Sequence, residues 1–188
     1  EFARKNKIKV AFNPSGYHLK HRRQEILDNL KNIDFLVVNE GEAAELAGIS
    51  FSKEKEVFKK LDDLMPGIVA VTDGSNGVTV SDGKHIYKAG IFKEKMVADR
   101  TGAGDAFGSG FTAGLMLADL RNRSDKSNKS NRTDKYNSED IKYAIRLASA
   151  NATSVVEHIG ATPGILKKSE FKKSRFKDLE IRVEKYES

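Results

Sequence analysis

The sequence contains no cysteine among its 188 residues, so disulfides, cysteine-ligated zinc and thiol nucleophiles are all excluded. The same absence fits a reducing compartment, and we expect a cytoplasmic protein. Long apolar runs are also lacking, since none approaches the roughly 20 residues of a membrane-spanning helix. No signal-peptide pattern opens the chain. We therefore expect no membrane partner.

Acidic residues are outnumbered, because 27 Asp and Glu stand against 33 Lys and Arg, and the formal net charge is +6. Such an excess suggests nucleic-acid binding. However, residues 121–137 carry +4, residues 167–188 carry +3, and the rest of the chain sums to −1. The basic residues of 121–137 are interleaved with Ser and Asn and have one aromatic neighbour, Tyr136, so they offer no base-stacking platform. Nucleic-acid binding therefore ranks lowest among the functions we consider.

Short apolar runs alternate with segments of helical spacing along most of the chain. The expected strands cover residues 8–12, 34–38, 68–72, 77–81 and 85–89, and the expected helices cover residues 20–32, 40–47, 53–64, 102–120 and 138–156. This alternation predicts an α/β domain with a mainly parallel sheet, and Asp82-Gly83 predicts a hairpin. We assign residues 1–166 to this domain, 121–137 to a flexible polar insertion within it, and 167–188 to a basic tail.

The segment richest in chemistry is Gly102-Ala103-Gly104-Asp105, at the expected start of a helix. Its small residues let backbone N–H groups approach an anion closely, and the positive end of the helix dipole favours a phosphoryl group there. The same dipole would keep Asp105 ionised, so that it accepts a proton from an attacking hydroxyl. The alternative is that Asp105 only stabilises the first helical turn.

The longer string from Asp99 to Asp105 resembles the second signature of the PfkB carbohydrate kinases, the ribokinase-like family, with Arg100 where Thr is common. The resemblance implies that Asp105 is the catalytic base and that the stretch Gly102-Ala103-Gly104 forms the anion hole. It also implies a ribokinase-like three-layer sandwich.

Two further stretches agree with the family in order and spacing. Asn39 and Glu42 look like its Asn-x-x-Glu motif at the ATP site, in which Glu42 would act through water on a Mg²⁺ that bridges the nucleotide phosphates. Thr72, Gly74 and Gly77 resemble its Thr-x-Gly-x-x-Gly loop, which would contact the phosphates of ATP. Without the family context, Glu42 is a solvated residue of a first helical turn, and the second string is an ordinary turn between strands.

After the last expected helix, Gly160-Ala161 resembles the Gly-Ala loop of the family. The resemblance implies a monovalent cation such as K⁺, held by Asp99 and Thr101 on one side and by backbone carbonyls of that loop on the other. Counting back from the loop places Ser149 where the family often has an adenine-contacting Asn, and Asn151 lies two residues on. Both stay candidates for ATP binding.

The matching motifs span residues 39–161 and belong to the C-terminal, nucleotide-binding part of the family. The N-terminal part, with the β-lid and most sugar contacts, has no counterpart before Asn13. Because the chain also starts at Glu1 rather than at methionine, we interpret it as a partial domain of a longer or processed protein.

The function expected from the resemblance is transfer of a phosphoryl group from ATP to a hydroxyl of a sugar or nucleoside, with Mg²⁺ and K⁺ as cofactors. A homodimer through the β-lid is a further expectation. The alternatives are a non-catalytic nucleotide-binding module and one subunit of a split enzyme.

Overall fold

The computed structural model describes residues 1–124, 136–172 and 174–186. The chain forms two compact units. The first, the sheet unit, comprises Glu1–Gly90 and Ile181–Ser188, and the second, the helical unit, comprises Ile91–Glu180.

Among the described residues, six strands form one sheet in the sheet unit, in the spatial order in which they follow along the chain. They are β1 (Ala11–Phe12), β2 (Phe35–Asn39), β3 (Ile68–Thr72), β4 (Val78–Ser81), β5 (His85–Ala89) and β6 (Ile181–Lys185). The first three strands pair in parallel, and β3–β4, β4–β5 and β5–β6 pair antiparallel. Four strands, β1, β2, β3 and β5, therefore point in the same direction.

The connections explain this mixture of pairings. Helices lie between the first three strands, and such crossovers are what parallel neighbours require. They are α2 (Gly16–Asn29), α3 (Glu40–Ala47) and α4 (Glu54–Leu64), with short 3₁₀ turns at Leu30–Asn32 and Phe51–Lys53. The expected hairpin at Asp82-Gly83 joins β4 to β5 and is confirmed.

The core of the sheet unit forms where the helices pack on the central strands. Alternate residues of β2 and β3 point to one face and meet the apolar stripes of the three helices. The core residues on that face include Leu36, Val38, Val69 and Val71 from the strands and Leu19, Ile26, Leu46, Phe58 and Leu61 from the helices. A short helix α1 (Phe2–Lys5) precedes β1 and contributes no buried residue.

Two long helices dominate the helical unit, α5 (Ala103–Ser124) and α6 (Ser138–Val156). Their backbones touch, because a Cβ added to Gly110 would lie 2.9 Å from Cα of Ala148, and one added to Gly114 would lie 2.6 Å from Cα of Ala144. A short helix α7 (Lys168–Phe171) and a 3₁₀ turn at Ser174–Phe176 follow. Phe92, Ala150 and Phe176 form a second small core.

The alternation of strands and helices expected from the sequence is confirmed, with shifts at the ends. The first strand is shorter than expected, and α5 runs four residues beyond Leu120. Most of the insertion expected at 121–137 lies outside the described residues. The segment 167–188, described from its composition as a basic tail, contains the unexpected strand β6. In the described part of the chain, no helix has the length and apolarity to cross a membrane.

Candidate functional site

The carboxyl ends of two parallel strands bring Asn39 and Thr72 side by side. Asn39 ends β2, Thr72 ends β3, and the two residues are register partners. The Thr72 hydroxyl donates to the carbonyl of Val38 at 3.4 Å and stays half-buried, whereas Asn39 is exposed. In open α/β sheets, ligands bind outside this edge of the strands. The two motifs that the sequence analysis placed at ATP are thus neighbours.

Glu42 forms a capping box with Asn39 at the start of α3. The Asn39 side-chain oxygen accepts the backbone N–H of Glu42 at 2.9 Å, and Oε2 of Glu42 accepts the backbone N–H of Asn39 at 2.9 Å. These bonds satisfy two N–H groups at the helix start. Glu42 is half-buried rather than fully solvated. The hydrogen bond from Asn39 thus fixes Oε2 of Glu42, and this bond keeps Oε1 at the carboxyl edge of the strands as well.

The loop after Thr72 folds back on itself through a 3₁₀ turn at Gly74–Asn76. The Asp73 N–H donates to the carbonyl of Gly77 at 2.9 Å, which closes the loop. Gly77 has φ +110°, and a Cβ there would overlap the carbonyl oxygen of Ala89. Only glycine therefore fits at Gly77.

Glu40 at the start of α3 and Asp73 in this loop are two interacting carboxylates to which the sequence analysis assigned no role. Partial burial raises the pKa of Glu40, and the negative charges of Asp73 and Glu54 raise it further. Glu54 is itself occupied, since it accepts the hydroxyl of Thr79 at 3.0 Å and pairs with Lys88 at 2.6 Å. The sequence could have indicated these carboxylates, because it shows Asp73-Gly74 in the loop and Glu40 at the start of α3.

In the helical unit, Asp105 lies exposed in the first turn of α5, directly after the small residues Gly102-Ala103-Gly104. The helix is anchored there by Ala106, whose N–H donates to the carbonyl of Gly102 at 2.8 Å. The first backbone N–H groups of a helix have no partner within the helix. The turn therefore combines N–H donors, a positive dipole end and an exposed carboxylate.

Asp99 joins this turn to the loop that follows α6. Its Oδ1 accepts the N–H of Thr101 at 2.9 Å, and its Oδ2 accepts the N–H of Gly160 at 3.1 Å. Because these N–H groups stabilise the charged form, chiefly that of Thr101, the pKa of Asp99 is held below its ordinary value. The two loops that the sequence analysis linked through a cation are in contact.

Gly102 provides a second contact between the same loops. Its φ is +80°, and a Cβ there would lie 2.6 Å from the carbonyl oxygen of Ala161. Any side chain at this position would push the loops apart, so Gly102 has a packing role besides the one expected in the anion hole.

The two candidates for adenine contact are both buried on α6, with 4% of Ser149 and 6% of Asn151 exposed. The side chain of Asn151 is already engaged, because Nδ2 donates to the carbonyl of Ala106 and Oδ1 accepts the N–H of Leu166. Neither side chain lies on the surface of the helical unit as a base contact would.

The expected site residues fall into two groups, one in each unit. Asn39, Glu42, Thr72, Gly74 and Gly77 gather at the strand edge of the sheet unit, whereas Asp99, Thr101, Gly102, Ala103, Gly104 and Asp105 gather with Gly160 in the helical unit. Over residues 1–124, 136–172 and 174–186, no three His, Asp or Glu residues are grouped as direct metal ligands.

Comparison with known proteins agrees with the motifs. Residues 1–168 match the pfkB family carbohydrate kinases. The ribokinase of Lactococcus lactis is 31% identical over 97% of this chain, and the cytidine kinase of Thermococcus kodakarensis is 31% identical over 57% of it. The match covers 50% of the first relative and 39% of the second, so the chain spans half or less of their lengths.

Solved structures of kinases from the same family have a similar fold. The structure of Arabidopsis thaliana ribokinase complexed with ribose and ATP superposes with a TM-score of 0.65 at 25% identity. It covers 93% of this chain, which in turn covers 49% of that protein. The ribokinase-like α/β fold expected from the sequence is confirmed.

Proposed function

The chain belongs to the pfkB family of carbohydrate kinases, and on this premise we propose that it supplies the ATP-binding and catalytic-base residues of a kinase that phosphorylates a hydroxyl group of a sugar or nucleoside. The cytoplasmic location and the homodimer stay predictions from sequence. The activity of the whole protein is part of the proposal, because the chain spans only half of its relatives.

The observation that carries the proposal is the position of Asp105. Its exposed carboxylate shares a helical turn with the N–H groups that follow Gly102. An anion held by those N–H groups would lie within one turn of a base, which is the relationship that phosphoryl transfer to a hydroxyl needs. Packing against Ala161 accounts for glycine at Gly102 but not at Gly104, where an added Cβ would meet no atom within 4 Å.

In this reaction Asp105 would accept the proton of the attacking hydroxyl while the oxygen of that hydroxyl bonds to the γ-phosphorus. The bond from the γ-phosphorus to the β,γ-bridging oxygen breaks, and ADP leaves with that oxygen. The N–H of Gly104 would stabilise the charge on the phosphoryl oxygens, and so would the N–H of Ala103 once it is released from its 3.3 Å bond to the carbonyl of Arg100. Thr72, Gly74, Gly77 and Asn39 would contact the phosphates of the nucleotide.

The residues present fit the two expected cations. Glu42 offers a half-buried carboxylate oxygen at the strand edge, a hard ligand suited to the water shell of Mg²⁺. Asp99, Thr101 and the carbonyls near Gly160 converge from two loops that touch, as oxygen ligands of K⁺ would have to. When bound, these cations would neutralise phosphate charge and stabilise the loops.

The acceptor stays open between sugars and nucleosides. The two curated relatives are named for ribose and for cytidine, respectively, and both compounds offer a primary hydroxyl as nucleophile. We expect the 188-residue chain alone to be a poor kinase, because placing the acceptor in line and excluding water needs further protein surface.

The test is Asp105→Asn in the natural full-length protein, assayed for ATP-dependent phosphorylation of ribose, fructose, adenosine and cytidine. We expect turnover to fall by about a thousandfold or more while ATP affinity, measured by calorimetry, stays within about threefold. Asp28→Asn is the matched control, since Asp28 is exposed on α2 and accepts only from Gln24 in the described residues.

Undiminished turnover in Asp105→Asn would end the assignment of the base. If the wild-type protein binds ATP but phosphorylates none of the acceptors, the chain is better described as a nucleotide-binding module. A protein that neither binds ATP nor turns over would contradict the proposal as a whole.

A further inference from the structure

Asn151 is a buried polar residue that links three segments of the helical unit. It lies on α6 with 6% of its surface exposed. Its Nδ2 donates to the carbonyl of Ala106 at 2.8 Å, and its Oδ1 accepts the N–H of Leu166 at 2.9 Å. Ala106 directly follows Asp105, and Leu166 lies a few residues after the Gly160 loop.

The bond to Ala106 is not needed to form α5. In an α-helix the carbonyl of residue 106 already accepts the N–H four residues further on, and here the hydroxyl of Ser109 also donates to it at 3.1 Å. Asparagine is a poor helix former and costs free energy when buried. Its neighbours on α6, Ala148 and Ala152, show that a small apolar residue is tolerated on this helix.

The packing of α5 on α6 sets the distance between the two helices, so the feature left for Asn151 to determine is their register along the helix axis. Gly110 and Gly114 bring the backbones of α5 and α6 into contact at Ala148 and Ala144, which fixes the distance between the helices. A hydrogen bond from α6 to the first turns of α5 fixes the register along the axis, close to the end that holds Asp105.

We propose that Asn151 is a positioning residue, which holds the first turn of α5, with Asp105 and the N–H of Gly104, in register with α6 and with the segment at Leu166. It acts through the carbonyl of Ala106 and does not touch the phosphoryl group or the acceptor. The proposal rests on the function assigned above to Asp105 and to Gly102-Ala103-Gly104.

The role predicts a specific kinetic effect. A base displaced by a fraction of an ångström loses its alignment with the attacking hydroxyl, so kcat falls while ground-state binding of ATP changes little. An Asn that contacted adenine directly would show the reverse, because loss of the contact would raise the KM for ATP.

Asn151→Asp is the informative substitution, because it keeps the shape and the acceptor for Leu166 but replaces the donor to Ala106 with a carboxylate oxygen. The control is Asn137→Asp, which adds the same charge at the N-cap of the same helix, where Oδ1 accepts the N–H of Asp140 at 2.9 Å. Two measurements are made, steady-state kinetics of the full-length protein and amide hydrogen exchange at residues 103–106 and 166.

For Asn151→Asp we expect kcat to fall about tenfold or more with the KM for ATP within about threefold. Amide hydrogen exchange should accelerate at residues 103–106 but not at Leu166. The control Asn137→Asp should match the wild type in both the kinetics and the exchange. If Asn151→Asp does not fold, Asn151→Ala is compared with Asn137→Ala at a temperature at which circular dichroism shows both folded. Alanine should then accelerate exchange at Leu166 as well.

Unchanged kcat and exchange would overturn the proposal, as would a raised KM for ATP with unchanged kcat, which would point to adenine contact. The exchange measurement separates this proposal from the proposed function. If Asp105→Asn keeps full turnover while Asn151→Asp still loosens residues 103–106, the base assignment fails but the registration of α5 by Asn151 stands.

Discussion

The carboxylate of Asp99 accepts the backbone N–H of Gly160, which lies 61 residues further along the chain, at 3.1 Å. The same carboxylate accepts the N–H of Thr101. One side chain thus joins the loop before α5 to the loop after α6. The alignment of both loops depends on its being ionised, since only the carboxylate offers an acceptor to each N–H without rearrangement.

Asp99→Asn should weaken this junction, because the amide nitrogen cannot accept one of the two N–H groups. The folded-state pKa of Asp99 is lowered, so its stabilisation is present above the unfolded pKa of about 3.9 and is lost as the pH falls through the lower folded value. The difference in free energy of unfolding between wild type and Asp99→Asn should therefore be present at neutral pH and shrink below about pH 4. Denaturant titrations across that range measure it, with Asp28→Asn as control. A difference independent of pH would contradict the role.

Gly104→Ala should lower turnover without lowering stability, and it therefore tests the proposed anion hole apart from the fold. A Cβ there meets no atom within 4 Å, so stability should be unchanged or higher by up to about 1 kcal/mol, because alanine favours helix. The methyl group would stand beside the N–H groups and keep a phosphoryl oxygen at a distance, so we expect kcat to fall about tenfold or more. Thermal unfolding and steady-state kinetics on one preparation test this, and unchanged kcat would argue against the anion hole.

Gly77→Ala and Gly74→Ala form a matched pair in the loop after β3. Both glycines have positive φ, but a Cβ on Gly77 would overlap the carbonyl of Ala89, whereas one on Gly74 meets nothing within 4 Å. We expect Gly74→Ala to cost about 1 kcal/mol of unfolding free energy and Gly77→Ala to cost more than about 3 kcal/mol. Urea denaturation compares the two, and equal losses would show that the contact with Ala89 is unimportant.

Asp62 should make the protein less stable as the pH rises towards neutrality. Burial raises its pKa to about 6, and Oδ1 is buried with no hydrogen-bond partner in the described structure. Because the folded state binds this proton more tightly than the unfolded chain, the stabilisation is present below about pH 4 and is lost as the pH rises through about 6.

Asp62→Asn mimics the protonated form and can still accept from Ser81, which donates to Oδ2 at 2.7 Å. It should raise the free energy of unfolding by about 1–3 kcal/mol near neutral pH and by much less near pH 4. Asp63→Asn, at the exposed neighbour, is the control for removal of a charge. Equal effects of the two substitutions at neutral pH would rule out burial as the cause.

The local features of the site could be predicted from the sequence because they are encoded by neighbouring residues. The capping box of Asn39 and Glu42 is readable from their spacing, although we considered Glu42 only as a metal ligand or as a solvated residue of a first helical turn. The turn at Gly77 and the helix start at Ala103 follow from small residues after a strand or before an apolar periodic run.

The long-range contacts could not be predicted in this way. Nothing near Asn151 in the sequence indicates that its amide bonds Ala106 and Leu166, since both partners are backbone groups brought close by folding. Strand β6 was missed for a different reason. Ile181 and Val183 alternate with Arg182 and Glu184, which is a strand pattern, but the charges led us to group this segment with the basic tail.

Strand β6 also determines how one side of the sheet ends. It covers β5, whose Ile86 and Tyr87 are buried, and it presents a mostly exposed strand with Arg182, Glu184 and Lys185 to the outside. Edge strands that carry charge resist pairing with a strand from another molecule. Chains that lost residues 181–185 would leave β5 exposed, so we expect this strand to protect the described sheet against aggregation through that side.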